Sequence, residues 1–226
     1  MQHAHADTGA SAHGAQAEEY PSPLSGLPPG LARRALVSAL TGIFEDPLVP
    51  PRGHAVLHPN GFAKVPVAQS ADASKRLFLH AWLRDGEDSH IHNHRWDFSS
   101  TVLRGTLRNT VVEVGPDGDG PPYTLVQHRP VNGGFRFDRS GGPPVHISSR
   151  RTVVHAERVE YAMDALTLHR VQASYGTMTL VVRGTPWRDW ADVLLEAPLE
   201  SGKRPLIPLA PEEWKRHLRQ ALEALG

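Results

Sequence analysis

Residues 86–105 read "GEDSHIHNHRWDFSSTVLRG", with histidines at 90, 92 and 94 followed by aromatics at 96 and 98. Side chains on an extended segment alternate between faces, so His90, His92 and His94 share one face and Ile91 and Asn93 take the other. Successive same-face Cα atoms lie roughly 6.5 Å apart. Imidazoles span that separation to metal–nitrogen bonds of about 2.0–2.1 Å. Any adjacent two of the three can therefore share an ion, and spacing alone leaves open which two.

The rest of the chain limits what such a site can be built from. Its 226 residues contain no cysteine, which removes disulfides, thiolate zinc sites, iron–sulfur clusters and cysteine nucleophiles together. Fourteen histidines are many for this length, and neutral imidazole is the commonest protein metal ligand. Lys+Arg and Asp+Glu both number 24, so no basic excess is present to neutralise a phosphate backbone, and nucleic acid is not an expected partner. The N-terminal "MQHAHADTGASAHG" lacks the pattern of an export signal, and no apolar run approaches the roughly 20 residues of a membrane span. A cytoplasmic location is the expectation, with no membrane partner.

Residues 1–29, rich in Ala, Gly, Ser, Pro and His without apolar periodicity, read as a disordered tail. Residues 30–226 read as a single domain. Leu36, Val37, Leu40, Ile43 and Phe44 repeat at helical spacing and predict a short helix ended by "EDPLVPP". "PEEWKRHLRQALEALG" predicts a C-terminal helix over 211–225, with Trp214, Leu218, Leu222 and Leu225 on one face. "WRDWADVLLE", 187–196, is read as a third short helix. Between these, residues 53–185 carry many short runs rich in Val, Leu, Thr and aromatics, separated by turn signals such as "PNG" and "PDGDG". That spacing fits a β-sandwich or barrel rather than a βαβ sheet.

The quoted stretch resembles the first motif of the cupin superfamily: Gly86, five residues, His92-x-His94, and a closing Gly105. A second segment, "EYAMDALTLHRVQ" (160–172), resembles the later motif of the thiol dioxygenase branch, as in cysteine dioxygenases, through Tyr161, Asp164, Leu168, His169, Arg170 and Val171. The usual glutamate of the first motif is replaced here by Phe98, and in that branch it is also replaced, iron being held by three histidines. The resemblance spans residues 86–175. It implies an all-β cupin double-stranded β-helix, or jelly roll, with short flanking α-helices and a metal held by His92, His94 and His169. The Ser-x-His-x-Tyr relay of cysteine dioxygenases is absent, since Thr179, Val181 and Arg183 stand nearest its places.

Three imidazoles leave open faces on an octahedral ion, the arrangement of non-haem iron oxygenases. The expected function is accordingly an Fe(II)-dependent dioxygenase acting on a small molecule, a thiol or amino-acid derivative among the options, with dioxygen as co-substrate. The same ligands accept Zn, Mn, Ni or Cu, and a cupin isomerase, lyase or decarboxylase using the ion as Lewis acid is the alternative, as is a non-catalytic binding cupin. Tyr161 is a candidate donor to a bound oxygen species. Arg183, ahead of Arg170 and Arg158, is a candidate clamp for a substrate carboxylate. His90, on the ligand face, is a candidate gate or alternative ligand, and Asp97 a carboxylate that a bend would turn inward. Trp96 and Phe98 share the ligand parity and suit an apolar pocket, while His80, His146 and His155 are second-line acid–base candidates. An edge strand pairing two chains into a homodimer is a further expectation.

Overall fold

Alternation of apolar and polar residues along the central stretches dictates strands with two distinct faces, and the computed structural model of the protein has them. It describes residues 54–69, 74–88, 90–118, 120–131, 134–139, 142–196 and 204–225. The strands are β1 Val56–Leu57, β2 Phe62–Gln69, β3 Arg76–Trp82, β4 Gly86–Glu87, β5 Ile91–His92, β6 Phe98–Arg104, β7 Leu107–Gly115 and β8 Thr124–Val131. They continue with β9 Gly134–Arg139, β10 His146–His155, β11 Glu160–Met163, β12 Leu168–Ala173, β13 Met178–Arg183, β14 Ala191–Leu195, β15 Arg204–Pro205 and β16 Ile207–Pro208, before helix α1, Pro211–Leu225. The expected tail and the helix predicted around Leu36–Phe44 lie outside the described residues.

The strands form two antiparallel sheets. One runs β11-β6-β13-β3-β2-β1-β16, and the other runs β10-β7-β12-β5-β14-β8-β9-β15, with β4 added on β12. Chain neighbours such as β6 and β7 fall in different sheets, and β12 and β13 do likewise. This is the all-β jelly roll that the sequence implied, closed by a C-terminal helix.

The seven-stranded sheet shows how parity builds both a core and a cavity. Ala63, Val65 and Val67 of β2, Leu77, Leu79 and Ala81 of β3, and Met178, Leu180 and Val182 of β13 pack with Trp214, Leu218 and Ala221 of α1 in one buried cluster. The alternate residues Phe62, Lys64, Phe78, His80, Trp82, Thr179, Val181 and Arg183 line a cavity on the opposite face. The apolar stripe of α1 therefore buries against the outer side of the sheet, where each fully buried Leu contributes about 1.5–3 kcal/mol. Glu212 and Glu213 sit in the helix's first turn, the end favourable to negative charge.

Two sequence expectations are corrected. Residues 191–195 are strand β14 rather than part of a helix, because they pair with β8 and β5 inside the second sheet and the tertiary ladder overrides the local pattern. The β-structure also runs past 185, to Pro208. At Gly105 the β6–β7 turn takes φ 80°, and an added Cβ would lie 2.8 Å from Thr177 Oγ1, so glycine is required there. At Gly86 an added Cβ would meet nothing within 4 Å. The motif glycine at that end has no steric cause.

Candidate metal centre

His92 ends β5, His169 lies on β12 directly opposite it in the register, and His94 follows two residues after β5. Their ligand atoms all lie within 4.8 Å of one another. His94 Nε2 and His169 Nε2 approach to 2.9 Å. Three nitrogens from three separate backbone positions thus converge on one point.

The strand expected over 90–94 is shorter than foreseen. After His92 the chain leaves the sheet: Asn93 N–H donates to Asp192 O (3.0 Å) and His94 N–H to Ala165 O (3.0 Å). Asn93 is buried, and its side-chain amide is held in a polar knot. There Arg188 donates to Asn93 Oδ1, to His94 O (Nη2, 2.7 Å) and to Asp192 Oδ2 (Nη1, 2.9 Å), while Asn93 Nδ2 donates to Asp192 Oδ2 at 3.0 Å. The knot holds the His94 backbone in place, so alternation survives without a ladder.

Two of the imidazoles, those of His92 and His169, are oriented by what their second nitrogen meets. His92 Nδ1 lies 3.1 Å from the carbonyl of His90, an acceptor, so Nδ1 carries the proton and Nε2 keeps its lone pair. His169 Nδ1 lies 2.8 Å from Asn109 Oδ1, a buried amide on β7, and the same assignment follows. Asp88 Oδ2 is 3.9 Å from His92 Nδ1. Its carboxylate accepts from Val171 N–H and from Asn60 Nδ2, and burial raises its pKa. Burial, together with neighbouring His169 and His92, pushes His94 well below the ordinary imidazole value, and burial with His92 does the same to His169. Both are neutral at pH 7. Three convergent imidazoles, with no thiolate in the chain and, among the described residues, no unengaged carboxylate beside them, fit a first-row divalent cation.

The three histidines face a cavity of about 210 Å³ lined mainly by Phe62, Phe78, Trp82, Trp96, Phe98 and Val171. Phe98 stands 4.9 Å from the His94 ring, edge to face, where a motif glutamate would have been. Tyr161 lines the cavity and stacks on His155 at 4.0 Å, and burial raises its hydroxyl pKa to about 12, so it remains a proton donor. Arg183 also lines it, over the Trp96 ring at 4.2 Å. His90 lines it as well, 6.4 Å from the Phe137 ring, but stands outside the convergent trio. Asp97 does not turn inward: its Oδ1 accepts from Ala165 N–H at 2.7 Å. Arg170 pairs with Glu87 at 2.8 Å, and Arg158 sits exposed in a turn at φ 69°. Neither lines the cavity. His80 does, and His146 does not.

Sequence reasoning missed Asn109, Asp88, Lys64 and the Arg188–Asp192 pair. A signal existed for two of them. Asn109 and Lys64 occupy inward positions of apolar alternations, next to Leu107 and Phe62, where a polar residue calls for a partner.

Neither a protein-family model nor a curated protein matches the chain. Among solved structures it is similar to KdgF from Halomonas sp., with 12% identity over 61% of this chain and 89% of that one, at a TM-score of 0.35. It is also similar to hydroquinone 1,2-dioxygenase PnpCD, with 16% identity over 57% and 66%, at 0.36. Hydroxypropylphosphonic acid epoxidase from S. wedmorenis gives 12% identity over 62% and 61%, also at 0.36. At such scores the fold rests on the strand order and register rather than on these likenesses. Among the described residues no helix is long and apolar enough to cross a membrane.

Proposed function

We propose that the protein is a mononuclear non-haem metalloenzyme in which His92, His94 and His169 hold Fe(II), and that it acts as a dioxygenase on a small molecule. The observation that carries this reading is the convergence of three imidazole nitrogens within 4.8 Å at an aromatic cavity, with no carboxylate joining them among the described residues. Bound there, the ion would supply open positions at which substrate and dioxygen meet. The chain's own part is to orient and to keep dry. His90 O and Asn109 fix the tautomers of His92 and His169, Phe98 and Trp82 exclude water, and the Tyr161 hydroxyl, beside Ser100 on the cavity wall, stays un-ionised and able to donate a hydrogen bond.

The test is metal content by plasma mass spectrometry after anaerobic Fe(II) loading, with nitric oxide as a spectroscopic stand-in for dioxygen. About one iron per chain that binds nitric oxide, lost in a His92→Ala/His94→Ala variant, is the expected result. Absence of stoichiometric metal in the wild type would overturn the reading. Zinc retained in preference to iron would overturn the dioxygenase assignment and favour Lewis-acid chemistry.

A further inference from the structure

The cavity is electrically lopsided. Besides the three imidazoles, its wall carries Arg95, which has Asp189 as a neighbouring charge, and two cations that enter from the seven-stranded sheet, Lys64 of β2 and Arg183 of β13. Both reach the same aromatic ring: Lys64 Nζ is 4.7 Å and Arg183 Cζ 5.7 Å from the centre of Phe78. The Arg183 guanidinium also lies over Trp96, 4.2 Å from the ring centre, a ring that Arg95 shares at 4.8 Å. Among the described residues neither cation has a carboxylate partner, although Arg129, Arg136, Arg170, Arg188 and Lys215 all do. Arg183 Nη1 is buried without an acceptor. Such a donor costs free energy that a bound acceptor recovers.

Among the described residues only one carboxylate lines the cavity, Asp88, and it is occupied by Val171 N–H and the Asn60 amide. A substrate ammonium would find no free acid there. An oxyanion would find Lys64 and Arg183, with Arg95 also on the wall, and an apolar body would find Phe62, Phe78, Trp82 and Phe98.

We propose that the cavity takes a small apolar or aromatic acid lacking an ammonium group, its oxyanion held between Lys64 and Arg183. This rests on the metal-centre reading for what happens to the substrate, but the binding step itself does not need the metal. Burial and the neighbouring Arg183, Arg76 and Arg95 lower Lys64 to about 8, and burial with Arg76 and Arg95 lowers Arg183 to about 10. An anion bound there relieves the mutual repulsion among these cations.

The test is calorimetric titration of the full chain with 3-phenylpropionate, its neutral amide, and phenylalanine, at low and high salt, with iron content measured in the same samples. The acid is expected to bind about tenfold or more tightly than the amide or phenylalanine, and to weaken with salt. Arg183→Gln and Lys64→Met are each expected to weaken the acid about tenfold and leave the amide unchanged. Amide binding in those variants reports an intact cavity. Should Arg183→Gln fail to fold, Arg183→Lys and the wild-type salt dependence carry the test. Equal binding of acid and amide, failure of the acid to bind the wild type, or an acid affinity that survives both variants would overturn the proposal. Acid binding by a chain that takes up no iron would sink the metal reading alone, and iron uptake without acid discrimination would sink this one alone.

Discussion

Replacing Asn109 by Leu preserves size and removes the one acceptor facing His169 Nδ1, at 2.8 Å in a position 2% exposed. Two consequences are calculable. The stranded, buried imidazole N–H loses its partner, which costs about 1–3 kcal/mol of folding stability. The tautomer is then no longer held, the proton shifts in part to Nε2, and that nitrogen's lone pair is withdrawn from the ion. Loss of a hydrogen bond to a metal-binding histidine weakens metal affinity by about 10–100-fold, equivalent to roughly 1.4–2.8 kcal/mol. Urea denaturation of the metal-free chain measures the first, and competition against a chelator of known affinity measures the second. Asn109→Asp, which keeps an acceptor, should restore affinity to within about tenfold of wild type even though the buried charge lowers stability. If Asn109→Leu loses stability but keeps its metal affinity within about twofold of wild type, the tautomer reasoning is wrong and Asn109 only fills space.

Two further outcomes follow from the same geometry. Arg188→Met removes donors to His94 O, Asn93 Oδ1 and Asp192, and should cost about 2–3 kcal/mol in urea denaturation while weakening metal binding, with the cavity's aromatic fluorescence otherwise unchanged. For pH, burial holds His58 and His80 well below the ordinary imidazole value, so the unfolded chain binds protons near pH 6.5 that the folded chain refuses. Their neutral burial is therefore costless above that value, and stability falls as pH drops below it, by up to about 1.4 kcal/mol per unit per group. On the alkaline side Lys64, at about 8 against 10.5, makes stability rise with pH across that interval. Denaturation curves from pH 5 to 10 check both signs, and a His80→Leu variant should flatten the acid limb.

Much of the fold was legible because its signals are local. Alternation marked the strands, and the stripe of Trp214, Leu218 and Leu222 marked α1. The parity of Thr179, Val181 and Arg183, visible in the sequence, proved to be the parity of the cavity wall. What could not be read was long-range. Residues 191–195 carry no strand signal that outweighs a helical one, and they become β14 only because β5 and β8 offer a ladder on either side. Asp97 looked available as a ligand until the 165 backbone claimed it. Asn109 stands sixty residues before the histidine it orients, and only sheet pairing brings the two together.

The two faces of β2, β3 and β13 divide the sequence into interleaved codes. Positions 63, 65, 77, 79, 180 and 182 answer to the helix, and positions 64, 78, 80, 181 and 183 answer to whatever enters the cavity. Because neighbours on a strand point apart, the second set can be rewritten with little disturbance to the first. Ligand preference in this scaffold is thereby free to drift, or to be redesigned, on one parity while the other keeps the chain folded. The three histidines stay as the fixed point around which that drift takes place.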